Sequence, residues 1–427
     1  MTAVQETVTS WVRRARAMGA REWLATLFIG WLVLAVIGPD KAYRIYFHGL
    51  IYPLTLYLLV RGQSGIHWRD PFLRLFLLFC GYMAVTTWLV GDVPVQDDAK
   101  ATRWGLEAAL GMLAFFIWMP RVLASPLVWG RVFLIMAIAG AAGGFLLALS
   151  GHSVDGRLVG LGAMDHAIQG PSIIIVFTAI GFFLLHSGLE RWTPGYRFLL
   201  LSAIVVVTLF TVLTKSRAPI GALAIYVLFI VLLLLPGRGG LGKMAGVGAA
   251  LMVALACVHW LVGLPVLLEQ MLARGDSYRA DIWYAYLAYP PESLWLGNGA
   301  GMGPEYTSAA RMYLEPRELS FAHPHNLWLG TYSETGLIGL AMLLGLVGLL
   351  AWSALRFGQG WTEKLHLLGL LGLFGMLTFT DEHSLLLSLK PIWLFGWIPL
   401  VFVWCWAWYG RRQANDDTEK TGTGEAG

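Results

Sequence analysis

The sequence predicts an all-α integral membrane protein with about twelve transmembrane helices, and three observations carry that prediction. Hydrophobic residues make up 57% of the chain and charged residues only 13%, against roughly a quarter charged in soluble domains. The mean hydropathy is +0.64. Apolar runs of about 17 to 25 residues, the length that spans roughly 30 Å of hydrocarbon, recur along the chain. The alternating pattern of roughly ten residues that marks a membrane barrel does not. Backbone groups in lipid have no water to bond, so these runs must close their hydrogen bonds internally as helices.

In order, the runs fall near 23–38, 45–60, 71–90, 104–119, 130–150, 171–188, 196–213, 218–235, 244–265, 326–355, 364–380 and 391–409. Residues 1–22 form a basic segment whose Trp11-Val12-Arg13-Arg14-Ala15-Arg16 suits the inner membrane surface, and with no cleavage site after the first run it is expected to stay as an anchor. Nine spans then occupy 23–265, a long loop 266–325, three spans 326–410, and the polar tail 411–427 is expected to be disordered. Most of the 30 Lys and Arg residues, among them Arg13, Arg61, Arg121, Arg197, Arg356 and Arg411, fall on the side of the N-terminus. Both termini are therefore expected in the cytoplasm, and the long loop outside.

Cys80, Cys257 and Cys405 each lie within a span, which argues against a disulfide framework or a Cys-rich zinc site. The formal charge of +4 follows from inner-side anchoring and gives no warrant for nucleic-acid binding. Membrane lipids are the expected surroundings.

A chain this apolar has little polar surface for chemistry, so the loop with Arg274, Arg279, Arg311, Arg317 and paired histidines is the natural site. Ahead of it, Thr214-Lys215-Ser216-Arg217-Ala218-Pro219 joins two spans with almost no loop. Ser216 is placed to cap a helix, and Arg217 then stands beside free N–H groups at the positive end of a helix dipole, which attracts phosphate or carboxylate. The alternative is that Lys215 and Arg217 snorkel to the interface. In the loop, Asp276 to Tyr286 reads as a short helix capped near Asp276, stopped by Pro290-Pro291, with Arg279, Trp283 and Tyr286 on one face. A guanidinium among aromatic rings suits a diphosphate beside sugars, while the aromatics also fit an interfacial belt.

Gly297-Asn298-Gly299-Ala300-Gly301-Met302-Gly303 lacks the preceding strand and the Gly-Lys-Ser/Thr ending of nucleotide loops, and reads as a turn allowing close backbone approach. His323-Pro324-His325-Asn326 follows at the mouth of a span, with Glu334 roughly 12 Å deeper, where a carboxylate needs a partner such as an outward Arg. A histidine there can take a proton from a sugar hydroxyl, or it can cap the helix. A metal site pairing His323 and His325 with Asp381-Glu382-His383 matches no standard ligand spacing. His152 to Arg157 and Asp165-His166 add another cation and two histidines outside. No serine-hydrolase elbow, His-Glu-x-x-His helix or P-loop occurs.

Ser216-Arg217 opening a span, Arg279 and Trp283 in a long outer loop, Gly297-x-Gly299, then His325-Asn326-x-x-Leu329 and Glu334-x-Gly336, in this order, resemble the O-antigen ligase superfamily over roughly residues 150 to 380. The resemblance implies a GT-C-like glycosyltransferase of the bacterial inner membrane, metal-independent and without cofactor, that passes a glycan from undecaprenyl diphosphate to lipid A-core on the periplasmic side. It implies that His325 is the base, that Arg217 and Arg279 hold the diphosphate, and that Glu334 orients or pairs with them. Arg157, Lys215, Ser216, Trp283, Tyr286, Arg311, His323 and Asn326 complete the expected substrate-binding set. Within the superfamily the rivals are an O-antigen polymerase and a protein O-oligosaccharyltransferase. From another class comes a lipid-linked glycan transporter, whose usual internal repeats and paired broken helices are not evident.

Overall fold

The computed structural model describes residues 18–90, 98–188, 193–234, 240–273, 278–319, 323–382, 384–386 and 388–408, and among these it contains helices and no strand. The basic stretch from Arg13 to Arg16, Arg274, the expected cap Asp276, His383 and the tail 411–427 lie outside the described residues. In chain order the helices are α1 (Ala20–Ile37), α2 (Ala42–Tyr46), α3 (Tyr52–Val60), α4 (Pro71–Val90), α5 (Asp98–Ala124), α6 (Pro126–Leu149) and α7 (Gln169–Gly188). There follow α8 (Pro194–Leu213), α9 (Arg217–Leu234), α10 (Gly240–Leu261), α11 (Leu264–Leu272), α12 (Arg279–Ala288), α13 (Leu327–Phe357), α14 (Gly360–Phe379) and α15 (Trp393–Trp408).

Eight of these described helices, α1, α4, α5, α6, α7, α8, α10 and α13, are long and apolar enough to cross a membrane. The chain is an all-α, multi-pass membrane protein. The remaining expected spans are helical too: 45–60 is α2 and α3 joined by a π turn at Phe47–Ile51, and α9, α14 and α15 stand at the others.

The core is organised around α7, which is apolar all round and buried at every residue from Gly170 to Leu185. It packs against α6, α8 and α14. A second knot of rings ties α1, α5 and the start of α15 together, with Phe28 stacked on Trp118 at 4.3 Å and Trp393 edge-on to Phe47 at 5.8 Å. Rigid burial of this kind fixes the helix ends on which the polar residues sit.

One expected span departs from a regular helix. At Gly336 the backbone of α13 turns to φ 65°, ψ −163°, and the helix breaks. The loop from Leu294 to Asn298 fills the break: Leu337 N–H donates to the Leu294 carbonyl (2.8 Å), Ile338 N–H to Trp295 (3.3 Å), and Asn298 N–H to the Ser333 carbonyl (2.8 Å). A Cβ on Gly336 would lie 2.3 Å from the Trp295 carbonyl carbon, and one on Gly297 (φ 77°) 2.5 Å from Gly336 N. Only glycine at both positions permits this approach. The close backbone contact expected of the Gly297 turn is thus made with α13, and it sets the depth of Glu334.

The segment between α11 and α13 has a small core of its own, Ile282, Ala285, Tyr286, Ala309 and Leu314. It is tied to α4, where the Thr87 hydroxyl donates to the Ala300 carbonyl (2.7 Å). The short helix is described from Arg279, preceded by Tyr278 in the left-handed region (φ 58°).

Candidate active site

Arg279 is the first residue of α12, and its guanidinium lies 3.8 Å from Asp381 Oδ1. The same oxygen lies 3.6 Å from His325 Nδ1. Asp381 therefore stands between the two residues from which a diphosphate contact and a base were expected. Its side chain is only 9% exposed, against 22% for Arg279 and 30% for His325, so the charges interact in a partly dry setting where Coulomb energies exceed those in water. These are ion-pair separations; catalytic hydrogen bonds commonly tighten once substrate is bound.

His325 is held in an unusual backbone state, φ 50°, in the left-handed region that costs a residue with a Cβ about 1–2 kcal/mol. Its own N–H donates to His323 Nδ1 (3.2 Å), and the two rings lie 4.1 Å apart. Burial first, and then the neighbouring His325, pushes His323 down to about 4. His323 is thus neutral and serves as an acceptor. Asn326 follows as the cap of α13, its Oδ1 accepting from Trp328 N–H (2.9 Å) and Leu329 N–H (3.1 Å). The side-chain oxygen of Asn326 thus holds the end of the helix.

Trp283 is likewise engaged by the protein. Its indole N–H donates to the Pro324 carbonyl (3.1 Å) and its ring packs edge-on against Phe379 at 5.1 Å, bracing the two segments that carry His325 and Asp381. Ser216 does not cap α9 with its side chain, as the sequence suggested. Its hydroxyl donates to the Ala167 carbonyl and accepts from Arg157 Nη2, while Arg157 Nε donates to the Thr214 carbonyl (3.0 Å). Arg157 and Ser216 thereby brace the turn, with Lys215 at φ 56°, that presents Arg217 as the first residue of α9. Arg311 lies exposed on the π turn Ala310–Leu314 and lines neither cavity described next.

Two cavities flank the ion-paired group. A groove of about 520 Å³ is lined by Arg217, Ala218, Gly221, Trp328, Gly372, Gly375, Met376, Phe379 and Thr380. The other, of about 280 Å³, is more polar and includes Lys100, Tyr286, Asn298, Thr307, His323, Ser333, Glu334 and Lys390 in its wall. Burial pushes the Tyr286 phenol up to about 12, so it stays protonated there. Pro324, next to His325, borders one cavity, and Phe379–Thr380, next to Asp381, border the other. The expected arginine partner of Glu334 is absent among its described neighbours: Ser384, Lys390 and Lys100 surround the carboxyl instead.

Asp381 is the residue that sequence reading missed as a partner of His325 and Arg279. A signal existed, since Asp381-Glu382 follows an apolar run and carboxylates at such a rim require partners. Among the described residues, no three His, Cys, Asp or Glu side chains converge as a metal site would need.

Fold and site define a multi-pass helical membrane protein in which a histidine faces a carboxylate where α13 begins and α14 ends. Residues 202–344 match the family model described as O-Antigen ligase, a stretch that holds Arg217, Arg279, His325, Glu334 and Gly336. Over 411 residues the chain is 27% identical to the curated O-antigen ligase of Pseudomonas aeruginosa, covering 92% of each chain. Both comparisons relate the chain to O-antigen ligases.

Proposed function

We propose that this protein transfers an O-antigen glycan from undecaprenyl diphosphate to a sugar hydroxyl of lipid A-core, at the periplasmic face of the bacterial inner membrane. The observation that carries the reading is Asp381 between Arg279 and His325, with a cavity on either side. Near-full-length similarity to a curated O-antigen ligase supports the two substrates. In this reading the chain is a GT-C-like bundle of about twelve spans with both termini cytoplasmic.

The chemistry follows from the groups present. Asp381 faces His325 Nδ1, which leaves Nε2 to receive the proton of the acceptor hydroxyl, and the carboxylate steadies the imidazolium that forms. The acceptor oxygen bonds to the anomeric carbon as the bond to the diphosphate oxygen breaks, and the electron pair leaves with undecaprenyl diphosphate. Arg217, at the positive end of α9, and Arg279 neutralise that charge. No further activation is required, because the diphosphate is already a good leaving group. One displacement inverts the anomeric carbon. The groove by Arg217 receives the donor, its apolar wall suiting a polyisoprenoid, and the polar cavity receives the acceptor sugar, where Glu334, Asn298 and the two lysines meet its hydroxyls.

Cells lacking the protein test the reading. Lipopolysaccharide and undecaprenyl-linked material are separated on gels and their glycans sized. Polymerised chains stranded on the carrier beside bare lipid A-core are expected. Core bearing a single repeat would make the protein a polymerase, and normal lipopolysaccharide would overturn the lipid A-core acceptor.

A further inference from the structure

Asp381 and Glu382 are adjacent carboxylates on the short segment between α14 and α15, yet they face different surroundings. Asp381 meets Arg279 and His325. Glu382 is 4% exposed and its Oε1 accepts from Gln169 Nε2 at 2.8 Å. Gln169 opens α7, the most thoroughly buried helix of the bundle. Two residues earlier the Ala167 carbonyl accepts from Ser216, which helps to hold the turn before Arg217. The entrance of α7 is thus tied at one point to the loop carrying Asp381 and at another to the turn carrying Arg217.

We propose that Glu382, anchored by Gln169, is a positioning residue that holds Asp381 in register between Arg279 and His325. The inference rests on the reading of His325 as the base. Neutral side chains make such a hydrogen bond without adding charge. Burial first, and then the negative charge of Asp381, raises Glu382 to about 8, with Lys390 and Gln169 acting in the opposite direction. Near neutral pH Glu382 therefore keeps its proton beside Asp381. Above about 8, ionisation of Glu382 places a second anion beside it, competing for Arg279 and His325 and loosening the geometry on which turnover depends.

The test uses the purified full chain in lipid vesicles, with transfer from undecaprenyl-diphosphate glycan to lipid A-core followed across pH. Glu382→Ala and Gln169→Ala are expected to lower kcat by about 10–100-fold, the scale of a small misplacement, with the donor KM little changed. Glu382→Gln, which preserves a neutral hydrogen bond to Gln169, restores most of the turnover and removes the alkaline fall near pH 8. If Glu382→Ala does not fold, the Glu382→Gln pH profile still decides. Wild-type kcat in folded Glu382→Ala, an alkaline limb unchanged in Glu382→Gln, or Glu382→Gln as inactive as the alanine variant would each overturn the proposal. A wild-type protein that makes no product would remove the reading of the function itself, whereas an active wild type with indifferent Glu382 variants would remove this inference alone.

Discussion

His366 on α14 is 2% exposed and packed among Phe182, Phe183 and His186, and neither ring nitrogen has a hydrogen-bond partner among the described residues. His325, in contrast, is more open and sits on a strained backbone, with a carboxylate 3.6 Å from one ring nitrogen and an arginine on the far side of that carboxylate. Burial is the weaker guide to function of the two. An aromatic cage can shelter an imidazole whose ring nitrogens meet no polar partner. What distinguishes His325 is convergence: an imidazole, a carboxylate, guanidinium groups and two cavities, assembled from α9, α12, α13 and the segment after α14. The left-handed state at His325, and those at Lys215 and Tyr278 just before Arg217 and Arg279, are held by surrounding hydrogen bonds and packing, as strain at functional positions commonly is.

The contrast can be broken or sharpened by substitution. Replacing His325 with Ala should lower glycan transfer by about 10²–10⁴-fold, the range for losing a general base, while donor binding by the membrane-embedded protein stays near normal. A variant with full activity would eliminate His325 as the base. Arg279→Ala and Arg217→Ala come next, at about 10²–10³-fold in transfer kinetics, with Lys rescuing poorly because it lacks the forked donors. Unchanged kinetics in both would remove the diphosphate contact. Asp381→Asn keeps the shape but loses the charge facing His325, and is expected to reduce kcat by about 10–10²-fold with a smaller effect on KM. The smallest effect belongs to His366→Phe, which fills an aromatic cage with another ring. Transfer at close to the wild-type rate is expected there, and a large loss in folded protein would show that the caged histidine does more than pack.

Much of this arrangement is legible in the sequence because it is local. Apolar length specifies α1, α4 and the other long helices, and the order Ser216-Arg217, Arg279, His325-Asn326, Glu334-x-Gly336 marks the polar rim. The remainder depends on contacts between distant segments. Asp381 reaches His325 only once α13 and α14 have folded back on each other, and no periodicity records that pairing. The break at Gly336 is invisible in an otherwise continuous apolar run, since it arises from the Leu294–Asn298 loop competing for helix hydrogen bonds. Asn326 and Trp283 read equally well as ligand contacts or as structural braces from composition alone. Their partners, the first turn of α13 and the Pro324 carbonyl, come from the folded structure.

The central claim is a single displacement in which His325 takes the proton of a lipid A-core hydroxyl and no covalent sugar-enzyme intermediate forms. It is tested most directly by nuclear magnetic resonance of the linkage made when purified protein joins a defined undecaprenyl-diphosphate glycan to lipid A-core. The account predicts an anomeric centre inverted relative to the donor. A retained configuration would contradict it.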